Sequence, residues 1–112
     1  MDNTRHLQQA NLLESVLEVS NILKQRRPDL IVNLTILSKA EALLRKENLT
    51  DADFTWIDEE IVNYLCHFKC LYDFCPLEQL DGETDQARWQ RWGQIVDRMR
   101  IRAILLCKNT KK

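Results

Sequence analysis

The chain has 112 residues, 45% of them apolar and 29% charged, and a net charge of −1. That length suits a single domain that buries a core without disulfides or metal, and the composition excludes wholesale disorder. The near-zero net charge gives no bulk attraction to nucleic acid.

Two glycines and two prolines are too few for a meander of short strands, which needs a turn signal every ~8–12 residues. Long helices are the expectation. Charge is unevenly spread along them. Residues 1–49 carry seven bases and six acids, residues 50–80 only Lys69 against seven acids, and residues 81–112 eight bases and four acids. The start of the chain is polar and lacks the apolar run of a signal peptide, and no stretch approaches the ~18–20 apolar residues that span a bilayer. A cytoplasmic or nuclear location with reduced cysteines and no membrane contact follows as an expectation. The Asn-Leu-Thr triplets at Asn33 and Asn48 are then coincidental matches to a glycosylation signal.

The first helix is expected over 4–26. Leu12, Val16, Val19 and Leu23 follow helical spacing, Glu14 and Glu18 lie across the axis, and Pro28 stops the run. A second helix is expected over 29–47, with Pro28 near its first position. Its main stripe is Leu30, Leu34, Leu37, Ala40 and Leu44, and a second stripe of Val32, Ile36 and Leu43 suits contact with two neighbours. Thr50 and Asp53 resemble a capping box at the start of a third helix over 51–75, ended by Pro76. Asp81-Gly82 marks a turn, and Thr84 caps a fourth helix over 85–107. In that helix Trp89, Trp92, Val96, Met99, Ala103 and Leu106 alternate spacings of three and four, as at the a and d positions of a heptad. The sum is an all-α, single-domain, antiparallel four-helix bundle spanning 1–112, with one helix open to breakage, most easily around Leu30–Asn33 or Asp73–Leu80.

Motifs for chemistry are weak. Cys66, His67, Cys70 and Cys75, with Cys107 as a fourth thiol, are spaced for zinc at first sight. On a helix, however, His67 points away from Cys66, Cys75 lies opposite Cys70, and Cys107 falls at the far end of an antiparallel neighbour. No metal or cofactor is expected. A Cys66/His67 pairing is the only route to nucleophilic catalysis, and two glycines cannot build a phosphate-cradling loop. Asp58, Glu59 and Glu60 read as a solvated carboxylate run, so the expectation is a protein that is not an enzyme.

Two surfaces invite a binding role. Arg88, Arg91, Arg98 and Arg102 repeat along helix four beside two tryptophans, an arrangement that could grip phosphates and stack bases. Pairing with carboxylates of an antiparallel helix three would use the same side chains internally. Helix three, drawn at 100° per residue, gathers Phe54, Ile57, Ile61, Tyr64, Leu65, Phe68, Leu71, Tyr72 and Cys75 on a core face. Its back still holds Trp56, Val62, Cys66, Cys70 and Phe74, enough apolar surface to suggest docking. The leading expectation is a non-enzymatic interaction module, a small adapter, inhibitor or assembly subunit, that binds a protein partner or itself as a homodimer through that back face. Nucleic-acid binding through the arginines is the alternative.

Overall fold

In the computed structural model, which describes residues 4–108, the apolar spacing resolves into four long helical stretches joined by short links. Helix α1 spans Thr4–Arg26 and α2 spans Ile31–Leu44. The third stretch begins as a short α-helix, α3 (Asp51–Trp56), and continues without interruption as a π-helix over Ile57–Phe68. A single 3-10 turn (Leu71–Asp73) follows, and α4 spans Asp85–Lys108. No strand occurs among the described residues.

Cross-links between side chains fix the topology. Gln9 near the start of α1 bonds the end of α2, while Lys39 of α2 lies over Trp56 at the end of α3. Cys107 at the end of α4 bonds Phe54 at the start of α3. Glu18 and Glu14 of α1 pair in turn with Arg98 and Arg102 of α4. Each neighbouring pair is therefore antiparallel, in the up-down-up-down order expected of a four-helix bundle, and α1 closes the ring against α4. The body is elongated, 47 × 26 × 21 Å.

The core is the one the apolar stripes predict for α1 and most of α4. Leu12, Val16, Val19 and Leu23 are fully buried, as are Val96, Met99, Ala103 and Leu106. Burial of each large aliphatic side chain contributes ~1.5–3 kcal/mol before conformational entropy is deducted. Trp92 is sealed in, but Trp89, expected on the same stripe, is 41% exposed. Caps also follow the sequence. The Thr50 hydroxyl accepts from the Asp53 amide and the Asp53 carboxylate accepts from the Thr50 amide, a complete capping box with Asp in place of Glu. The Thr84 hydroxyl accepts from the Ala87 amide.

Two boundaries differ from expectation. Helix α2 is shorter than 29–47, because residues 27–30 form a turn closed by a Leu30 N–H to Arg27 carbonyl bond and braced by the Arg27–Asp29 ion pair. The third stretch stops at Phe68 instead of running to Cys75. Cys70 adopts a left-handed backbone, φ +55°, a conformation that ends helices and is usually left to glycine. The chain is then held across α4: Leu71 is fully buried, its carbonyl accepts from the Trp92 indole N–H at 2.8 Å, and Tyr72 donates to Asp97 at 2.5 Å. These tertiary contacts outweigh continuation of the helix to Pro76.

Candidate interaction surfaces

The π winding decides where each side chain of the third stretch points. Ile57, where the π segment begins, still donates to the Asp53 and Phe54 carbonyls four and three residues back. Lys69 closes the segment on the Tyr64 carbonyl, five residues back, at 2.7 Å. Asn63 adds a side-chain bond to the carbonyl of Asp58, again five residues back. Most π-helical pieces last a single turn and cluster at functional sites; this one runs for 12 residues. Each loop of the winding takes in one more residue than an α-turn, so the angle per residue is smaller than the 100° of an α-helix. The lag accumulates along the segment. Ile57, Ile61 and Leu65 stay buried, whereas Phe68, expected in the core, is 74% exposed.

Residues four apart consequently form three rows. Ile57, Ile61 and Leu65 face the core. Trp56, Glu60, Tyr64 and Phe68 run along the side next to α2, where the Tyr64 and Phe68 rings stack at 5.5 Å and Lys39 covers Trp56 at 5.3 Å. Val62, Cys66 and Cys70 run along the side next to α4.

The five residues expected to form the back face are thereby separated. Val62, Cys66 and Cys70 line a groove of about 530 Å³ with Asn63, His67, Tyr72, Asp97 and Arg100. Trp56 lies beneath Lys39 on the other side. Phe74 packs against Trp92 at 6.1 Å and beneath Arg27 at 5.1 Å, inside the fold. The five make no single surface.

The groove's polar groups are engaged with one another. Tyr72 donates to Asp97, and Arg100 Nε donates to the Tyr72 oxygen at 3.4 Å. Burial, followed by the Asp97 carboxylate, pushes the Tyr72 hydroxyl up to about 12. Burial pushes the Cys66 thiol up to about 12, and a hydrogen bond to Asp73 raises Cys70. These thiols stay protonated at neutral pH, the opposite of the depressed value that activates a cysteine. Cys75 donates to the Arg88 carbonyl near one end of α4, and Cys107 to the Phe54 carbonyl at the other, so the cysteines do not converge. Among the described residues no three His, Cys, Asp or Glu side chains are grouped to hold a metal.

All four arginines of the α4 stripe have partners inside the molecule. Arg88 donates to the Cys75 and Leu77 carbonyls and to Asp85. Arg91 makes a two-pronged pair with Glu83 and reaches the Glu78 carbonyl. Together they hold the 75–83 connection down on α4. Arg98 pairs with Glu18, and Arg102 donates to the Asn11 carbonyl, Ser15 and Glu14. Helix three was the expected source of counter-charge for the last two; α1 supplies it.

A different surface is open. The outward side of α2 exposes Ile31, Val32, Thr35, Ser38, Lys39 and Ala42, and Lys39 is its one charge. Ile31 is 68% exposed. Beside it runs the Trp56–Glu60–Tyr64–Phe68 row. Glu59 and Glu60 have no ion pair among the described residues, although two other acids of the 50–80 stretch do: Asp53 with Lys46 and Glu78 with Arg26. The signal for this face in the sequence is the apolar character of α2 on more than one side, which its neighbouring helices cover only in part. Only Ile36 and Leu43 of the second stripe are buried; Val32 is not. No helix among the described residues is long and apolar enough to cross a membrane. No protein-family model, curated protein or solved structure matches the chain.

Proposed function

We propose that this protein is a non-enzymatic protein–protein interaction module that docks through the outward side of α2 and the adjoining Tyr64–Phe68 row. The observation that carries the reading is the near-absence of charge on the outward side of α2: Ile31, Val32, Thr35, Ser38 and Ala42 all face solvent beside the stacked Tyr64 and Phe68 rings, of which Lys69 covers Tyr64. Contiguous apolar surface of a few hundred Å² marks interaction sites. Aromatic side chains such as Phe68 dominate binding energy once desolvated.

Two features support a binding role over the other readings. The thiols nearest a histidine are held protonated, which disfavours nucleophilic chemistry. Each arginine that would grip a phosphate already has an internal partner, so nucleic acid would have to displace it.

The test is affinity capture from the organism's own extract, with wild type beside Ile31→Asp and Phe68→Asp. Both positions are exposed, so the fold should survive, as circular dichroism would verify. The expected result is one or more proteins, the chain itself included, retained by wild type and released by both variants. Capture that ignores both substitutions, or no saturable capture, overturns the reading. Phe74→Ala serves as a contrast, since that ring packs against Trp92 and beneath Arg27 and reports on stability.

A further inference from the structure

We infer that the occupant of this face is a second copy of the chain, with α2 of each copy packed antiparallel on α2 of the other about a twofold axis between Thr35 and Ser38. The inference rests on the interaction-module reading and gives it a partner.

Three properties of the face make it self-complementary, as a twofold interface must be. The first is the outward row of α2: Ile31, Thr35, Ser38 and Ala42 sit at helical spacings of four, three and four. A twofold between Thr35 and Ser38 sets Thr35 opposite the second copy's Ser38 and Ile31 opposite the second copy's Ala42. The one large residue then meets the smallest, at both ends of the contact, and small residues in the middle allow close approach of the two helices.

The second property is charge. Lys39 is the one charge among the exposed residues of α2 and lies over Trp56, and among the described residues it has no carboxylate partner and Glu60 in the neighbouring row has no cation. The register between α2 and the third stretch, fixed by Lys39 over Trp56, places Glu60 one row position beyond Trp56, toward the level of Thr35. An antiparallel twofold keeps the two π segments on one side of the contact and brings each Lys39 toward the other copy's Glu60. Charges left single within one copy are paired between two.

The third property is the aromatic row, whose direction also reverses across the twofold. Trp56 of each copy comes to the level of the other's Glu60, so the two rows overlap at these ends while Phe68 extends past the contact. The footprint is about 21 Å long, from 14 residues at 1.5 Å, and about two helix diameters wide. That is a few hundred Å² on each copy, at the low end for specific association, so a reversible, concentration-dependent dimer is expected.

Sedimentation equilibrium of the full chain from about 1 to about 500 µM tests the pairing, since this range brackets dissociation constants of micromolar order. Wild type should move from monomer to dimer. Ala42→Ile should weaken the dimer at least tenfold, because Ile31 would then meet a second large residue, and Ile31→Ala should weaken it by opening a gap. The Ile31→Ala/Ala42→Ile double variant should recover the dimer, as should Lys39→Glu/Glu60→Lys where each single change weakens it. Circular dichroism of every variant separates lost pairing from lost fold. A wild-type monomer throughout overturns the second-copy assignment; if Ile31→Asp still releases a captured protein, the interaction-module reading survives without it. A dimer indifferent to Ala42→Ile and to both double variants also overturns the assignment, because the contact then lies elsewhere.

Discussion

Gln9 of α1 closes the end of α2: its side-chain amide donates to the Leu44 carbonyl at 3.0 Å and to the Lys46 carbonyl at 2.7 Å. The last carbonyls of a helix have no intrahelical donor, and Gln9 is itself buried, so water is a poor substitute. Gln9→Leu keeps the bulk and removes both bonds, leaving a buried carbonyl unsatisfied at a cost of ~1–3 kcal/mol. Urea denaturation should show the midpoint falling with the slope unchanged. An unchanged midpoint would mean that water satisfies the α2 terminus.

What the sequence makes legible here is local. The stripe Leu12–Val16–Val19–Leu23, the Thr50/Asp53 box and the Thr84 cap depend on residues three or four apart, and all appear as read. What it hides depends on winding or on distant chain segments. A wheel drawn at 100° assumes α geometry, so it sent Phe68 into the core and joined Trp56 to Val62 and Phe74. Nothing local in Arg98 or Arg102 announces that their carboxylates stand 80 or more positions earlier, at Glu18 and Glu14. That pairing belongs to ring closure between the first and last helices. The exposed side of α2 was visible as surplus apolar character, but only the finished packing shows which side has no neighbour.

Cys70 stores strain that a smaller residue would release. Its φ of +55° is unfavourable for any side chain with a Cβ and free for glycine. Cys70→Gly should stabilise the fold by up to ~1 kcal/mol, the relief at the left-handed position being partly offset by the greater freedom of the unfolded chain. Cys70→Val, β-branched, should destabilise it. Thermal unfolding of the pair against wild type decides the matter, and loss of stability in the glycine variant would show that the Cys70 thiol is worth more than its backbone costs.

Arg98 and Arg102 look equivalent on a helical wheel but differ in depth. Arg98 makes one bond to Glu18, at 3.3 Å, and both partners are solvated. Arg102 satisfies a carbonyl, a buried hydroxyl and a carboxylate from one nitrogen. Arg98→Ala should change stability by no more than ~0.5 kcal/mol, as exposed pairs do, whereas Arg102→Ala should cost ~1–2 kcal/mol by stranding Ser15 beneath α4. The same two proteins examine the alternative function. A salt-sensitive affinity for single-stranded RNA or duplex DNA that both substitutions abolish would favour nucleic-acid binding over protein docking.

Stability should fall at both ends of the pH scale for separate, assignable reasons. The two-pronged Arg91 pair holds the Glu83 carboxyl down at about 2, against an ordinary 4.5. A depressed carboxyl contributes stability that is complete above its unfolded value and is lost as pH falls from about 4.5 through about 2. Glu83→Gln should flatten that acid limb. At the alkaline end the sign reverses. Cys66 and Tyr72 are raised to about 12 from 9.0 and 10.0, so the stability tied to their protonated forms is complete below pH 9 and is lost as pH climbs toward about 12. Cys66→Ala and Tyr72→Phe should each remove their share of the alkaline decline, at some cost in packing at neutral pH. Denaturation midpoints followed from pH 2 to pH 12 supply the check, with alkylation of the four thiols at pH 8 as an independent one. Cys66, sealed and protonated, should react far more slowly than Cys75; equal rates would mean that the groove beside α4 opens readily.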